Sequence, residues 1–152
     1  MFASDGESLM GGWFAEQKHF GGNLNLSSAR NDSNLKIFKL TSDWLDVYFS
    51  GHKPDFTPPL APLGTEFQKS VWSVLLEIPY GTSVTYGEIA AKIAGERKMS
   101  ARAVGVAVGR NPISIVIPCH RVLGAGRTLV GYAGGMERKI TLLTLEKIKF
   151  QI

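Results

Sequence analysis

The sequence predicts an α/β (α+β) protein in which a small β-rich domain with one helix precedes a mainly helical domain that contains a helix-turn-helix. Two capping boxes, at Thr65 and Thr85, start helices in the second part. Four of the seven prolines lie between residues 53 and 63, which indicates a linker. We therefore expect three segments: an N-terminal scaffold domain (1–53), a proline-rich linker (54–63) and a C-terminal domain (64–152).

The N-terminal domain carries the signals of one hairpin and one helix. Asp5-Gly6 is a turn dipeptide between the short segments 1–4 and 9–15, so it predicts a β-hairpin. Apolar residues recur at helical spacing over residues 35–49, and a glycine follows them. The domain shows no catalytic constellation, and a scaffold role is therefore predicted.

Two short helices predicted after the linker lie close together in the sequence. The first begins at the capping box of Thr85 and ends at Gly95. A charged turn over residues 96–98 follows, and Ser100 is placed to cap a helix over residues 101–108. Two short helices joined by a small turn are typical of a helix-turn-helix.

An apolar run from Ile113 to Ile117 predicts a short buried strand, which Pro118 ends because proline has no amide hydrogen for a sheet. The sole cysteine, Cys119, follows with His120 beside it. A thiol at the end of a rigid strand, next to an imidazole, is typical of a nucleophile. Buried free cysteines are usually inert, so Cys119 taken alone favours a structural role.

Positive charge shifts this balance towards chemistry. His120 and Arg121 place polarity and charge next to the sulfur, which is expected to favour the thiolate. Residues 65–152 carry twelve Lys and Arg against six Asp and Glu, a net +6, whereas residues 1–64 carry five against seven, a net −2. This concentration around Cys119 predicts a polyanionic partner. The basic residues between positions 85 and 127 are Lys92, Arg97, Lys98, Arg102, Arg110, Arg121 and Arg127.

The end of the chain is predicted as a glycine-rich loop followed by a helix. Five glycines lie between residues 123 and 135, and residues 136–150 show an apolar helical face. Glu146 lies on that face, where a carboxylate needs a partner. The candidate core residues of the helix are Ile140, Leu143, Leu145 and Ile148.

Composition argues against several classes of protein. The chain has no run of about eighteen apolar residues and no charged segment leading into an apolar one at its start, which argues against membrane insertion and export. A single cysteine excludes an internal disulfide, and three scattered histidines argue against a zinc site. We expect a monomer in a reducing cytoplasm, with no metal and no membrane partner.

Four sequence blocks together resemble a known family. The block Pro118-Cys119-His120-Arg121-Val122, preceded by Asn111-Pro112, resembles the active-site signature of the O6-alkylguanine-DNA alkyltransferases, also called methylated-DNA–protein-cysteine methyltransferases. The resemblance runs from about Gly64 to the C-terminus. Further blocks in matching order are Tyr86-Gly87-Glu88-Ile89-Ala90, Ala101-Arg102-Ala103-Val104-Gly105 and Gly131-Tyr132-Ala133-Gly134-Gly135.

The resemblance implies a DNA-repair enzyme, with residues 64–152 as its DNA-binding and alkyltransferase domain. It would transfer the alkyl group of O6-alkylguanine in double-stranded DNA to its own Cys119, once and irreversibly, without a cofactor. The helix-turn-helix would enter the minor groove, and the damaged base would be flipped into a pocket. Activity on O4-alkylthymine is left open.

The resemblance also implies residue roles. His120 would take the thiol proton, Glu146 would orient His120, and Tyr86 would help to protonate the departing guanine. Arg102 would fill the gap left by the flipped base. The implied substrate and DNA contacts are Arg102, Asn111, Arg121, Val122, Tyr132 and Ala133, with Asn111 bracing the turn between the DNA-reading helix and the active site.

Two other functions remain as alternatives. A cysteine hydrolase using Cys119 and His120 would turn over repeatedly, which a thioether product forbids, and it would leave the helix-turn-helix unexplained. A DNA-binding regulator or lesion-recognition protein would leave Cys119 as a redox sensor or a structural residue.

Overall fold

A hairpin opens the computed structural model, which describes residues 1–96 and 98–152. Strands β1 (Phe2–Ser4) and β2 (Leu9–Gly12) pair antiparallel. In the turn between them, the carboxylate of Asp5 accepts the backbone amide hydrogens of residues 7 and 8, at 3.0 and 2.8 Å. This side-chain turn fixes the reversal of the chain. The predicted hairpin is confirmed.

The predicted N-terminal helix is also confirmed, as α1 (Lys36–Phe49), which contacts β2. Gly51 follows it at a φ of 84°, a left-handed conformation that favours glycine and ends the helix. Buried positions recur at helical spacing along one face of α1. They are Ile37, Thr41, Trp44 and Tyr48.

The proline-rich segment 54–63 lies along β2. The amide of Leu9 donates to the carbonyl of Pro59 at 2.8 Å, and the carbonyl of Leu9 accepts from Ala61 at 2.9 Å. Buried apolar side chains of α1 and of the C-terminal helices form one continuous cluster. The domain boundaries proposed from the sequence stay a prediction.

Helices α2 (Glu66–Leu76), α3 (Tyr86–Ala94) and α4 (Ala101–Gly109) follow the proline-rich segment. Both predicted capping boxes are present at the starts of α2 and α3. The hydroxyl of Ser100 accepts two amide hydrogens of the first turn of α4, as expected. Helices α3 and α4 pack together as the predicted helix-turn-helix. The turn predicted over 96–98 includes Arg97, which lies outside the described residues.

The predicted strand over residues 113–117 is wrong, although its four apolar residues are buried as expected. Ile115 has a φ of 71°, a left-handed value that no strand contains. The chain reverses there, and the amide of Ile117 donates to the carbonyl of Ile113 at 3.0 Å. Ile113 forms a single bridge to Gly12 of β2. An apolar β-branched run indicates that the residues are buried, and here the buried residues form a tight turn instead of a strand.

A short parallel pair joins the helix-turn-helix to the C-terminal part, and the sequence did not predict it. Strand β3 (Val84–Thr85) precedes α3, and β4 (Val122–Leu123) lies beside it. The pair places the start of α3 next to the turn that holds Cys119. The rest of segment 123–135 is irregular, as predicted, except for one 3₁₀ turn, Ala125–Arg127, and a bridge from Thr128 to Gln151.

The final helix, α5 (Met136–Leu145), is shorter than the predicted 136–150. Lys147 adopts a φ of 58°, and the amide of Ile148 donates to the carbonyl of Leu143 at 2.9 Å. This is a Schellman ending, which usually contains glycine. Because lysine occupies the position, the sequence carried no stop signal. Glu146 is the C-cap rather than a mid-helix residue.

One core prediction for this helix is wrong as well. Ile140 is exposed, whereas Leu142 is buried. The buried stripe of α5 runs through positions 139, 142, 143 and 146, at the i, i+3, i+4, i+7 spacing of one helix face. In the described part of the chain, no helix is long and apolar enough to cross a membrane.

Candidate active site

Cys119 begins a 3₁₀ turn, Cys119–Arg121, and its side chain is buried. The side-chain amide of Asn111 holds this turn. Its Nδ2 donates to Sγ of Cys119 at 3.0 Å and to the carbonyl of Ile117 at 2.8 Å, while its Oδ1 accepts the amide hydrogen of Ile113 at 3.0 Å. Asn111 follows α4 by two residues. The end of the second helix of the helix-turn-helix is therefore tied directly to the sulfur.

The environment of the sulfur differs from the sequence prediction. Burial raises the pKa of the Cys119 thiol, and the hydrogen bond from Asn111 and the charge of Lys139 offset this rise only in part. Neighbouring charge does favour the thiolate, but it comes from Lys139 rather than from His120 or Arg121, and burial outweighs it. The thiol holds its proton at neutral pH, and nucleophilic chemistry needs a base to remove it.

A histidine–carboxylate pair lies beside the cysteine. Nε2 of His120 is 2.6 Å from Oε1 of Glu146, and both side chains are fully buried. Burial lowers the pKa of His120, so its imidazole is neutral at pH 7. Nδ1 of His120 is buried and makes no hydrogen bond with any described residue. The pair has the arrangement of a base and the group that orients it.

The carboxylate of Glu146 gathers hydrogen bonds from several elements. Besides His120, its donors are Nε and Nη2 of Arg121 at 2.8 and 3.1 Å, the amide of Gly81 at 3.0 Å, and the hydroxyl of Tyr48 at 2.7 Å. Burial raises the pKa of Glu146, but the bonds from His120 and Arg121 outweigh it and lower the pKa to about 2. Glu146 is therefore ionised across the physiological range.

Arg121 lies where the sequence analysis did not expect it. Two of its guanidinium nitrogens bind Glu146, and Nη1 donates to the carbonyl of Ile78 at 2.7 Å. Its side chain is buried. The positive charge that acts on the sulfur comes from Lys139 instead. A contact between Arg121 and DNA stays a prediction.

Sequence reasoning missed two residues of this site, Lys139 and Tyr48. Nζ of Lys139 is buried and donates to the carbonyls of Val122 and Val130 at 2.7 and 3.1 Å. Burial lowers the pKa of Lys139 to about 8, although Cys119 acts to raise it. The signal for Lys139 was its place on the buried stripe of α5, seven residues before Glu146. Tyr48 sits on the apolar face of α1, where an aromatic residue indicates only core.

A small cavity of about 50 Å³ reaches Cys119. Tyr86, Tyr132 and Ala133, which the resemblance places at the substrate, line it. Val122 does not line it, and its carbonyl already accepts the ammonium group of Lys139. Burial, followed by the nearby Cys119, raises the pKa of Tyr86 to about 12, so Tyr86 keeps its proton.

The cavity adjoins a wide groove on the helix-turn-helix. The groove has a volume of about 660 Å³ and shares Tyr86, Gly105 and Gly131 with the cavity. Arg102 and Val106 of α4 also line it, and both are exposed. The small residues of α4 leave room for a partner's backbone to approach.

Some of the basic residues between positions 85 and 127 are already paired or buried, so they are not available to a polyanionic partner. Lys92 pairs with Glu77, and Arg127 pairs with Glu88 at 3.0 Å, while Arg121 is buried. Lys98, Arg102 and Arg110 are exposed and form no ion pair with the described residues. Within residues 1–96 and 98–152, no cluster of acidic, His and Cys side chains is arranged to hold a metal ion.

These features define a helix-turn-helix protein organised around a single buried cysteine, with a histidine–glutamate pair next to it. Residues 66–148 match the family model described as 6-O-methylguanine DNA methyltransferase, DNA binding domain. The match covers more than half of the 152 residues. The chain therefore belongs to the 6-O-methylguanine DNA methyltransferase family.

Individual relatives agree with this membership. The chain is 56% identical over 113 residues to a methylated-DNA–protein-cysteine methyltransferase of Methanosarcina acetivorans, covering 74% of this chain and 71% of the relative. It is 44% identical over 151 residues to the protein of the same name from Haemophilus influenzae, covering 99% and 81%. The crystal structure of Mycobacterium tuberculosis OGT in complex with DNA superposes with a TM-score of 0.85 at 42% identity, covering 96% and 84%.

Proposed function

We propose that the protein repairs DNA by irreversible transfer of an alkyl group from O6 of alkylguanine to Sγ of Cys119. The observation that carries this proposal is the cavity at Cys119, which adjoins the groove of the helix-turn-helix. A base in a duplex reaches such a sulfur only after it is flipped out of the stack. The names of the relatives and the DNA complex of the M. tuberculosis protein support the same activity.

The chemistry follows from the proton states of the site. The sulfur attacks the alkyl carbon, a carbon–sulfur bond forms, and the bond from that carbon to O6 breaks. The thiol proton passes to Nδ1 of His120, directly or through one water molecule, and Glu146 stabilises the imidazolium. Tyr86, which is protonated, supplies the proton that the departing guanine takes up. Solvent then removes the proton from His120 and restores the one on Tyr86.

The product explains why each molecule acts once. Cys119 becomes a thioether, and water does not cleave a thioether as it cleaves an acyl-enzyme. No step requires a diffusible cofactor. We propose that the protein acts as a monomer in the cytoplasm, because one chain supplies the whole site and a reducing compartment keeps the thiol free.

The remaining residues have proposed roles in holding DNA and the base. Arg102, exposed at the start of α4, enters the gap left by the flipped base. Tyr132 and the backbone at Ala133 wall the pocket. Val122 does not line the cavity, so a bond from the exocyclic amine to its carbonyl requires the base to reach beyond the cavity wall. A carbonyl has two lone pairs, so the bond from Lys139 leaves one for the base.

Mixing the protein with a duplex that contains one O6-methylguanine tests the proposal directly. The intact mass should rise by one methyl group, and peptide mapping should place that group on Cys119. The same duplex with unmodified guanine is the control for the lesion, and Cys119→Ser is the control for the nucleophile. Repeated turnover would indicate a hydrolase, and absence of an adduct would indicate a regulator or a redox sensor.

A further inference from the structure

The hydroxyl of Tyr48, a residue of the N-terminal region, contacts both members of the histidine–glutamate pair. Its side chain is fully buried, and its hydroxyl is 2.7 Å from Oε1 of Glu146 and 3.2 Å from Nε2 of His120. Its ring stacks on Trp44 at 5.4 Å, with the two planes 7° apart. A buried tyrosine held in this way has one position for its hydroxyl, and that position is between the two groups.

The proton positions follow from what each atom faces. Glu146 is ionised and can only accept, so the Tyr48 hydroxyl donates to it. Burial, followed by the adjacent Glu146, raises the pKa of Tyr48 far above its ordinary value, so this donor keeps its proton. Nε2 of His120 then faces two oxygens, the carboxylate and the phenol, and must carry the ring proton. The lone pair of the neutral ring is left on Nδ1.

We propose that Tyr48 is a positioning residue that holds His120 in the Nε2–H tautomer and thereby makes Nδ1 the atom that accepts the thiol proton. The role of Tyr48 in repair rests on the proposed function, whereas the contacts among Tyr48, His120 and Glu146 do not depend on it. This role also gives the N-terminal region, predicted as a scaffold, a part in the proton chemistry of Cys119.

The hydroxyl has a second effect, on the charge of the pair. The Tyr48 hydroxyl donates to Glu146 and partly neutralises its negative charge, which weakens the stabilisation of the His120 imidazolium by that carboxylate. The hydroxyl oxygen acts in the opposite direction, because it favours the imidazolium. The bond to the carboxylate is shorter and charge-assisted, whereas the contact with Nε2 is long, so the first effect is the larger. Removing the hydroxyl should therefore raise the pKa of His120.

Other charged and titratable groups act on the same cluster. Arg121 and Lys139 lower the pKa of His120, while Tyr80 raises the pKa of Tyr48. Tyr80 stands edge-on to Tyr48 at 6.0 Å, and its own hydroxyl is buried without a hydrogen-bond partner among the described residues. Tyr80→Phe is therefore a matched control, because it removes a neighbouring tyrosine hydroxyl that bonds to none of these groups.

The test compares Tyr48→Phe with Tyr80→Phe and the unchanged protein across pH. Two rates are measured, methyl transfer from an O6-methylguanine duplex and alkylation of Cys119 by iodoacetamide. Tyr48→Phe should slow methyl transfer by about tenfold, a part of the roughly 10²–10⁴-fold that a general base contributes. The acid limb of both rate profiles should move to higher pH, because more of the base is protonated at a given pH. Tyr80→Phe should leave both profiles in place.

Each other outcome has a definite meaning. A uniform loss of rate in Tyr48→Phe without a shifted profile would reduce Tyr48 to a packing residue and overturn the inference. Failure of the unchanged protein to take methyl from DNA, with the iodoacetamide profile still shifted in Tyr48→Phe, would overturn the proposed function alone. Should Tyr48→Phe not fold, nitrogen NMR of the unchanged protein decides the matter, since a proton found on Nδ1 of the buried His120 contradicts the proposed tautomer.

Discussion

Two regions meet at Cys119, and they are built in opposite ways. On one side, the carboxylate of Glu146 accepts five hydrogen bonds, from Tyr48, His120, Gly81 and twice from Arg121, and it is closed off from solvent. On the other side, the groove along α4 is open, is lined by small residues, and presents exposed Arg102.

The difference fits the tasks that we propose for the two regions. Proton transfer gains from fixed donors and acceptors in a low-dielectric site, where no reorganisation is needed at the moment of reaction. A surface that meets the DNA backbone gains from open space and exposed charge. Asn111 joins the two, because it follows α4 and donates to the sulfur.

The largest expected effect comes from removing the atom at which the regions meet. Cys119→Ser should abolish methyl transfer, because a serine hydroxyl in a buried site is a far weaker nucleophile than a thiolate. Affinity for undamaged DNA should stay nearly the same, because the sulfur is buried and is no phosphate contact. Transfer is followed by intact mass and affinity by fluorescence anisotropy. Methyl transfer in this variant would show that another residue is the acceptor.

The next prediction compares the loss of stability when a buried carboxylate is neutralised with the loss when an exposed carboxylate is neutralised. Glu146→Gln leaves Arg121 buried without an anion, and breaking such a pair costs about 3–5 kcal/mol of stability. Glu88→Gln is the matched control, since Glu88 also pairs with an arginine, Arg127, but its side chain is 53% exposed. An exposed pair contributes roughly 0–1 kcal/mol. Denaturant unfolding measures both, and equal losses would contradict the contrast between the two regions.

Acid should act on the buried side as well. The folded-state pKa of Glu146 is about 2, below its ordinary 4.5, so the stability it contributes is present above pH 4.5 and is lost as pH falls towards 2. The size of this loss is roughly 3 kcal/mol. His120, whose pKa is lowered, adds a loss that starts below pH 6.5. Melting curves against pH measure the sum, and a flat stability from pH 7 to 3 would contradict it.

The two regions also differ in how far the sequence predicts them. The starts of α3 and α4 depend on local signals. Thr85 opens a capping box with Glu88, and Ser100 is itself a favoured N-cap residue. The buried network is assembled from positions 48, 81, 120, 121 and 146, and no local pattern links them. Cys119 and His120 were singled out as neighbours in the sequence, and the role of Glu146 came from the family resemblance. Tyr48 was missed, because its only local signal is that of a core aromatic.

The same difference between local and tertiary signals explains the two elements that were predicted wrongly, the strand over 113–117 and the end of α5. The run 113–117 has the composition of a strand, but a turn at Ile115 buries the same side chains. The end of α5 uses Lys147 at a position where glycine would have given the signal. In both cases tertiary packing holds an unfavourable left-handed residue that local propensity argues against.

A smaller effect is expected on the open side. Arg102→Ala should slow methyl transfer by about tenfold, because support for a flipped base offsets part of an unstacking cost of a few kcal/mol. Arg110→Ala, at the other end of α4, is the control, since it should weaken binding of damaged and undamaged DNA alike. Single-turnover rates and anisotropy titrations at several salt concentrations measure both. Equal losses of rate and of undamaged-DNA affinity in Arg102→Ala would make it an ordinary phosphate contact.

A further effect follows the single turnover and acts where the two regions join. A methyl on Sγ adds a larger, non-ionisable group at a buried sulfur, and overpacking typically costs ~1–3 kcal/mol. The added group also crowds the bond from Asn111, whose amide is left short of an acceptor at a further cost of ~1–3 kcal/mol. Each kcal/mol shifts the melting temperature of a chain of this size by about 2–4 °C. The methylated protein, freed of DNA, should therefore melt several degrees below the unreacted protein.

The loosening should begin at Asn111, because that side chain holds both the sulfur and the turn at residues 113–117. Limited proteolysis should accordingly cut the methylated protein faster, and first between α4 and Cys119. Cys119→Ser carried through the same reaction is the control, since it acquires no methyl group and should show no shift. Equal melting temperatures of the methylated and unreacted proteins would mean that the cavity takes the methyl without strain and that Asn111 keeps its bond.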